Sequence, residues 1–438
     1  MHTVNWMNNL NTLPNTNTIN QVKPDRMTFP RMCEDTSLEI KKDLLNPIKT
    51  KDFICTSLFK LFINNNVSLN NLYMTSQCSG YDIILDNPKF ISDIKTLNFT
   101  FTNILTSLPS LSLLSSIKHL VIYHNFGRIQ YIANLIQSQT QLLSLSLNYM
   151  IGNTYLLDSF KHCSSTLTSI TFLFCDFTKN SSFDGLKYLT RLKSLQIIYC
   201  RGLTILSQSF PTSLKVKSLN VRANDQSSGM VLLLQKIGSY LKHLELILWE
   251  REKAFEGIIN YCNKIKFLYL RIGYENVPQL YRLINNNKHL KYLSLEANKL
   301  KISSMILKDL GQVLPNSLKY LNLDLHIDPN DLKIFLENCK HVVGLNHLLV
   351  RNGNIENIDV TFNVLKEFVR EKRVKDFAYD VNRHFNPNDL DHLNLDKLVN
   401  EAQPFVEMKR YDDLVAVVKL EMKRYNGIVD DDEFDILF

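Results

Sequence analysis

A six-residue pattern of apolar positions recurs along most of the chain, in the form L-x-x-L-x-L with Ile, Val or Phe also accepted. Residues 290–295 read LKYLSL, and residues 318–323 read LKYLNL. Successive copies begin 23 to 29 residues apart. Alternating apolar positions predict a short β-strand that buries one of its faces. The first apolar residue of each copy, called its anchor below, falls at thirteen positions: Leu69, Ile94, Ile117, Leu142, Leu167, Leu192, Val216, Leu241, Ile265, Leu290, Leu318, Leu345 and Val374.

The segments between these copies carry apolar residues at helical spacing. A strand followed by a returning helix, repeated roughly every 20 to 29 residues, is typical of leucine-rich repeats. Asp328 precedes Pro329 at the start of one such segment, which predicts a helix N-cap with proline in the first turn. The clearest predicted helices cover residues 254–264, 277–288, 303–314 and 328–339.

These elements predict an α/β fold: a leucine-rich-repeat solenoid, or horseshoe, with a parallel sheet on the concave face and helices on the convex face. We assign it to residues 51–392, with about 13 repeats. No repeat can bury its apolar face alone, so the stack supplies the core. Residues 1–50 are rich in Asn, Thr and Pro and are predicted to be largely disordered. The amphipathic segment 52–66 is expected to cover the first end of the stack.

Residues 393–438 are predicted to form a C-terminal capping helix, begun or broken near Pro404, and an acidic tail. The tetrapeptide MKRY occurs at 408–411 and again at 422–425. A spacing of fourteen residues returns to nearly the same face of a helix. The final residues, DDDEFDILF, predict a solvated end, with a short docking peptide as the alternative.

Asn or Cys follows the anchor by eight positions in five of the copies. This repeat type favours both residues there, where the chain leaves the strand. An inward Asn can bond backbone groups that the turn leaves unpaired, and a buried Cys behaves as a small apolar residue. We interpret these side chains as structural, with a reactive thiol as the alternative for the cysteines. They are Asn125, Cys175, Cys200, Asn224 and Asn298.

The residues two, four and six places after each anchor are predicted to line the concave face. In the early copies they are small and polar: Ser144, Ser146, Ser169, Thr171, Ser194, Gln196, Ser218 and Asn220. In the late copies they become aromatic and charged, and solvent-facing aromatic and Arg side chains often carry interface energy. The alternative is that neighbouring rings only stabilise each other. The predicted partner-binding residues are His243, Glu245, Phe267, Tyr269, Arg271, Tyr292, Glu296, Tyr320, Asp324, His347 and Arg351.

A column of lysines is expected along the rim where the strands begin. The chain carries a net charge of +7, and lysine directly follows the anchor in nine of the thirteen copies. We interpret the column as a solvated rim, with a salt-dependent polyanion site as the alternative. Nucleic acid is an unlikely partner because arginine is not interleaved. The nine are Lys95, Lys118, Lys193, Lys217, Lys242, Lys266, Lys291, Lys319 and Lys375.

The sequence does not predict an enzyme. It contains no H-E-x-x-H, G-x-S-x-G, P-loop or G-x-G-x-x-G motif, and its cysteines form no C-x-x-C pair. We therefore predict no catalytic residues, no cofactor and no metal. The start of the chain lacks a basic cluster followed by an apolar block, and no apolar run is long enough for a membrane span. The predicted location is cytoplasmic or nuclear.

Cysteine-containing copies such as LKSLQIIYC, and helices that end in YC or NC, resemble the repeat half of F-box/leucine-rich-repeat proteins, particularly the expanded fungal families. The resemblance implies a substrate receptor of a cullin-RING (SCF-type) ubiquitin ligase, with the protein substrate on the concave face. The ligase adaptor would dock on an N-terminal F-box. Leu13 and Pro14 are followed by NTNTINQV, so no F-box is identifiable there, and a degenerate remnant is placed near 38–64. The alternative function is a stand-alone leucine-rich-repeat scaffold or adaptor.

Overall fold

The computed structural model describes fifteen stretches of the chain. Three predictions concern residues outside these stretches: the disorder of the N-terminal segment, the roles of Asn125 and Asn224, and the acidic tail. The chain divides into two compact units, residues 1–142 and residues 143–438. The described stretches are 47–67, 69–74, 83–84, 86–101, 114–124, 129–151, 154–179, 183–212, 214–223, 227–248, 252–354, 357–372, 374–381, 407–408 and 411–416.

The described residues of the first unit form three parallel strands. β1 pairs with β2, and β2 pairs with β3, in the register given by their anchors. The predicted N-terminal helix begins five residues earlier than expected and buries Cys55 and Phe59. The elements are α1 Pro47–Asn64, β1 Asn71–Met74, α2 Pro88–Ile91, β2 Thr96–Phe101, β3 His119–His124 and α3 Ile129–Gln137.

The second unit contains parallel strands that follow one another in chain order. Each strand with a predicted anchor begins two residues after it, so the repeat register predicted from the sequence is confirmed. Tyr292 pairs with Tyr320, for example. The strands are β4 Ser144–Asn148, β5 Ser169–Leu173, β6 Ser194–Ile198, β7 Ser218–Ala223, β8 His243–Leu248, β9 Phe267–Arg271, β10 Tyr292–Glu296, β11 Tyr320–Leu325, β12 His347–Asn352, β13 Asp376–Val381 and β14 Glu407–Met408.

Helices return the chain between these strands. The early repeats use short helices and 3₁₀ turns, such as Asp184–Tyr188, whereas the longer late repeats hold regular α-helices. The predicted N-cap is confirmed, since the Asp328 carboxylate accepts hydrogen bonds from the backbone N–H groups of Asn330 and Asp331. The α-helices are α4 Thr154–Asp158, α5 Leu203–Ser209, α6 Ser227–Ile237, α7 Glu252–Tyr261, α8 Val277–Asn286, α9 Leu300–Val313, α10 Pro329–Asn338 and α11 Ile358–Lys372.

The core consists of the anchor and the two alternating apolar residues that follow it. Leu290, Leu293 and Leu295 are fully buried, and the equivalent positions of the neighbouring repeats are buried with them. The side chains between them point to the opposite face of the sheet, here called the open face. The fold is therefore an α/β leucine-rich-repeat solenoid. Among the described residues, no helix is long and apolar enough to cross a membrane.

The predicted ladder of inward side chains is correct for the cysteines and wrong for Asn298. Cys175 and Cys200 are buried, and their thiols donate to backbone carbonyls of the preceding repeat. Asn298 is exposed because Ala297 occupies the inward position after β10. A buried asparagine, Asn352, performs this role elsewhere by accepting a hydrogen bond from the Ile327 N–H at 3.0 Å.

The predicted C-terminal helical region contains two described pieces. The short strand β14 pairs in parallel with β13. Residues 411–416 are helical, and we call them the docked segment because their side chains contact the open face of earlier repeats. The chain therefore places part of its own C-terminal region on the face that the sequence analysis assigned to a partner.

Candidate functional site

The eleven predicted binding residues all lie on one face of five neighbouring strands, β8 to β12. The register places them in three columns, at two, four and six residues after the anchor. The first column is aromatic, the second is mixed, and the third is charged. Sequence spacing alone thus predicts which of these side chains are neighbours.

The first column is a continuous row of rings. Phe267 stacks on Tyr292 with ring centroids 4.4 Å apart, and Tyr292 lies 5.8 Å from Tyr320. His243 and His347 close the two ends, at 6.1 Å from Phe267 and 6.4 Å from Tyr320. The prediction that these rings face solvent is corrected for two of them, because Phe267 is 1% and Tyr320 is 3% exposed. Stacking covers Phe267, and the docked segment covers Tyr320.

The third column pairs opposite charges across neighbouring strands. Arg271 binds the Glu296 carboxylate through its Nε at 2.8 Å and also through its Nη2. The Tyr269 hydroxyl donates to the other oxygen of Glu296. Two strands earlier, Arg222 Nη2 of the third column lies 2.6 Å from Glu245 Oε1 of the second column. These half-buried pairs fix the orientation of the charged groups on the open face.

Arg351 is the centre of a group of three carboxylates. Its Nε donates to Asp380 at 3.0 Å, and its Nη1 lies 3.8 Å from Asp324. Burial raises the pKa of Asp324 to about 6; Arg351 opposes this shift, whereas Glu296 and Asp380 add to it. The third carboxylate, Asp412, belongs to the docked segment and accepts from Arg351 Nη2 at 3.2 Å.

Tyr411 inserts into this part of the open face. It is 8% exposed, and its hydroxyl donates to Asn322 Oδ1 at 2.7 Å. Asn322 Nδ2 in turn donates to Ser294 Oγ at 2.9 Å. The Arg351 guanidinium lies over the Tyr411 ring, 3.9 Å from its centroid, in a cation–π contact. Burial raises the pKa of the Tyr411 phenol above its ordinary value, so the hydroxyl remains a donor.

The docked segment also contributes apolar contacts. Leu414 follows Tyr411 by one helical turn and is fully buried. Together these two side chains form an apolar cluster with residues of three strands, Tyr320, Leu349 and Ala378. Leu349 and Ala378 occupy the second column of the open face, where a solvent-facing surface would normally be polar. The late open face is therefore apolar at the positions that the docked segment covers.

A second aromatic feature, which the sequence analysis missed, lies at the ends of the early strands β4 to β6. Tyr149, Phe174 and Tyr199 follow their anchors by seven positions, and their rings stack at 5.0 and 5.3 Å. They are 42 to 54% exposed. All three have positive φ angles of 54 to 59°, which is costly for bulky residues. The recurrence of an aromatic residue at one repeat position was the available signal, and we call the three the early aromatic ladder.

The lysine column is aligned by the backbone. Over six consecutive strands the N–H of each column lysine donates to the carbonyl of the previous one at 2.8 to 2.9 Å, so their side chains leave the sheet in a row. Those six are Lys193, Lys217, Lys242, Lys266, Lys291 and Lys319.

Three of the buried thiols, those of Cys163, Cys175 and Cys262, have the environment of structural cysteines, whereas a hydrogen bond with Cys175 lowers the pKa of Cys200. Burial raises the pKa of Cys163 and of Cys262 to about 12. Burial also raises the pKa of Cys175. A thiol that stays protonated is a poor nucleophile, so the reactive alternative for Cys175 is not favoured. Among the described residues, no group of three or more His, Cys, Asp and Glu side chains could hold a metal ion.

No family model matches the chain, and no curated protein matches it in sequence. Solved structures that resemble it include the leucine-rich-repeat-containing protein LegL7 from Legionella pneumophila, at 16% identity and a TM-score of 0.35, covering 73% of this chain and 93% of that one. A TLR13–ssRNA13 complex resembles it at 15% identity and a TM-score of 0.29, covering 70% and 58% of the two chains. At these TM-scores the likeness carries no argument, and the fold assignment depends on the strand order and repeat register.

Proposed function

We propose that this chain is a protein-binding leucine-rich-repeat protein whose partner contacts the open face of β8 to β12. The observation that carries the proposal is the late open face itself, where aromatic rings and oriented arginines lie side by side over five strands. Such side chains bury a large area with a small loss of entropy. From β9 to β12 the second column is neutral or apolar, which is better suited to a protein surface than to a highly charged ligand.

Substitutions on the open face test this proposal in the full chain. Tyr292→Ala and Arg271→Ala remove one ring and one charge that remain partly accessible. Proximity labelling in cells should lose the same partners with both variants. Lys308→Ala, on the exposed side of α9, is the matched control and should retain them. Identical partner profiles for all four proteins would exclude this face.

The finer hypothesis is that the chain is an F-box-like substrate receptor of an SCF-type ubiquitin ligase. Helix α1 supports it with an exposed apolar stripe, since Ile54, Leu58 and Leu61 follow one helical face and are about half exposed. A stripe of this kind is suited to a helical partner such as a ligase adaptor. The alternative remains a stand-alone scaffold that binds the same substrate without an adaptor.

Adaptor co-purification distinguishes these two functions. If the receptor hypothesis is correct, the chain brings down the ligase adaptor, and Leu58→Glu with Leu61→Glu abolishes this capture. Lys60→Glu, on the same helix, is the control and should leave it unchanged. If the adaptor is absent from a preparation that still contains the open-face partner, the scaffold function is the correct one.

A further inference from the structure

We propose that the open face of β10 to β13 is a receptor for an external helical segment that carries Tyr and, three residues later, Leu or Ile, and that the docked segment occupies this receptor in competition with it. The proposal rests on the proposed function, because it names the chemistry of the partner that the open face would bind. In a simple capping role, by contrast, residues 411–416 would cover the open face without competing with any external segment.

The site selects tyrosine by its hydroxyl as well as its ring. Tyr411 donates to Asn322 Oδ1, and Asn322 is 5% exposed. A phenylalanine in place of the tyrosine would leave the buried Asn322 Oδ1 without a hydrogen-bond donor. An unpaired buried oxygen weakens binding. The guanidinium of Arg351 over the ring adds a contact that an aliphatic side chain could not make.

The aliphatic residue three positions later completes the recognised pattern. Leu414 is fully buried beside Leu349 and Ala378, one helical turn from Tyr411. The same spacing recurs at Tyr425 and Ile428, after the second MKRY, outside the described residues. The segment that follows β14 thus carries the pattern twice, although a cap needs it once.

The docked segment is an imperfect occupant, which makes exchange feasible. Asp412 brings a third carboxylate to Arg351, which already lies near Asp324 and Asp380. Its side chain is 90% exposed, and an exposed ion pair contributes little stability. The segment is favoured mainly because it is tethered, and an external helix of higher intrinsic affinity could therefore displace it.

Peptide binding to the full chain tests the proposal. In the emptied variant, Tyr411→Ala, Leu414→Ala and Tyr425→Ala remove the two copies of the pattern that follow β14. A fluorescent peptide of residues 408–416 should bind the emptied variant, and should bind the intact chain about tenfold or more weakly because the tethered segment competes. The same peptide with Tyr411→Phe should bind the emptied variant about fivefold to tenfold more weakly than the tyrosine peptide.

Two results would overturn the proposal. One is equal binding of the peptide to the intact and emptied chains; the other is no binding to an emptied variant whose circular dichroism and thermal unfolding show an intact solenoid. If the emptied variant does not fold, the full chain with Tyr411→Phe is used instead. This variant should bind the tyrosine peptide more tightly than the intact chain does. Unchanged binding would overturn the proposal. Loss of the open-face partners in Tyr292→Ala would leave the proposed function standing in either case.

Discussion

The open faces of the early strands β4 to β6 and the late strands β9 to β13 share one backbone register but differ in what covers them. The early face carries small polar side chains and an exposed aromatic ladder at its edge. The late face carries rings, ion pairs and apolar residues beneath the docked segment. The two faces show that the repeat fixes where a side chain lies while leaving its chemistry free, because only the anchor and the two apolar positions after it enter the core.

The helical sides of the two regions differ as well. In the early region, the 3₁₀ turn Asp184–Tyr188 lies against the preceding repeat at Gly185. In the late region, regular α-helices connect the strands, and Gly311 of α9 also approaches α10 closely, since an added Cβ would lie 2.6 Å from the Phe335 carbonyl oxygen. Close backbone approach therefore depends on individual glycines and not on the length of the repeat.

The largest expected effect comes from Gly185→Ala in the early region. An added Cβ would lie 1.9 Å from the Leu157 carbonyl oxygen, so the backbones of two repeats must separate. We expect a loss of about 3 kcal/mol or more in the free energy of unfolding. Gly344→Ala is the late counterpart, because its Cβ would lie 3.3 Å from the nearest oxygen, and it should cost less than about 1 kcal/mol. Urea denaturation measures both, and equal losses would mean that the space around the added Cβ does not determine the cost.

The second effect concerns the cover of the late face. Tyr411→Ala removes a buried ring, its hydrogen bond and its cation–π contact, at a cost of about 3 kcal/mol to the local stability of the docked segment. Hydrogen exchange should increase in residues 411–416 and at the strand residues beneath them. Tyr149→Ala, which removes an exposed ring from the early ladder, should leave exchange in the late region unchanged. Protection of residues 411–416 in Tyr411→Ala would mean that other contacts hold the segment.

The third effect is a pH dependence that arises from Asp324 in the late region. The pKa of Asp324 is raised to about 6, so the folded chain keeps a proton that the unfolded chain loses at lower pH. Stability is therefore expected to fall as the pH rises from about 4 to about 6, by about 2 kcal/mol. Asp324→Asn should remove this fall when denaturation is measured at several pH values. Asp309→Asn, at an exposed position on α9, is the control and should keep it.

The repeat fold could be predicted because its signal is periodic. The alternation of apolar residues after anchors such as Leu290 and Leu318 defined the strands, their register and the columns of the open face. The predicted residues lie together on the open face as the register requires, but the burial of Tyr320 was not predictable, since nothing in the local sequence indicates that it is covered by residues about ninety positions later. That these residues bind a partner stays a prediction. A non-periodic contact of this kind, made by a segment beyond the last repeat, has no signature in the spacing.

The smallest expected effect tests whether the early aromatic ladder contributes to stability. Phe174 has a positive φ of 54°, which costs about 1 kcal/mol for a bulky residue. Its two ring contacts stabilise the folded chain by a similar amount. Phe174→Asn relieves the backbone cost and removes both stacks, so the free energy of unfolding should change by less than about 1 kcal/mol. Phe172→Ala, at a buried position two residues earlier, is the positive control and should be strongly destabilising.

A loss above about 2 kcal/mol for Phe174→Asn would make the ladder a structural support of the early repeats. A near-zero change would mean that three exposed rings are held in a costly conformation without benefit to folding, in contrast to the late rings, whose stacking and cover stabilise the face they occupy.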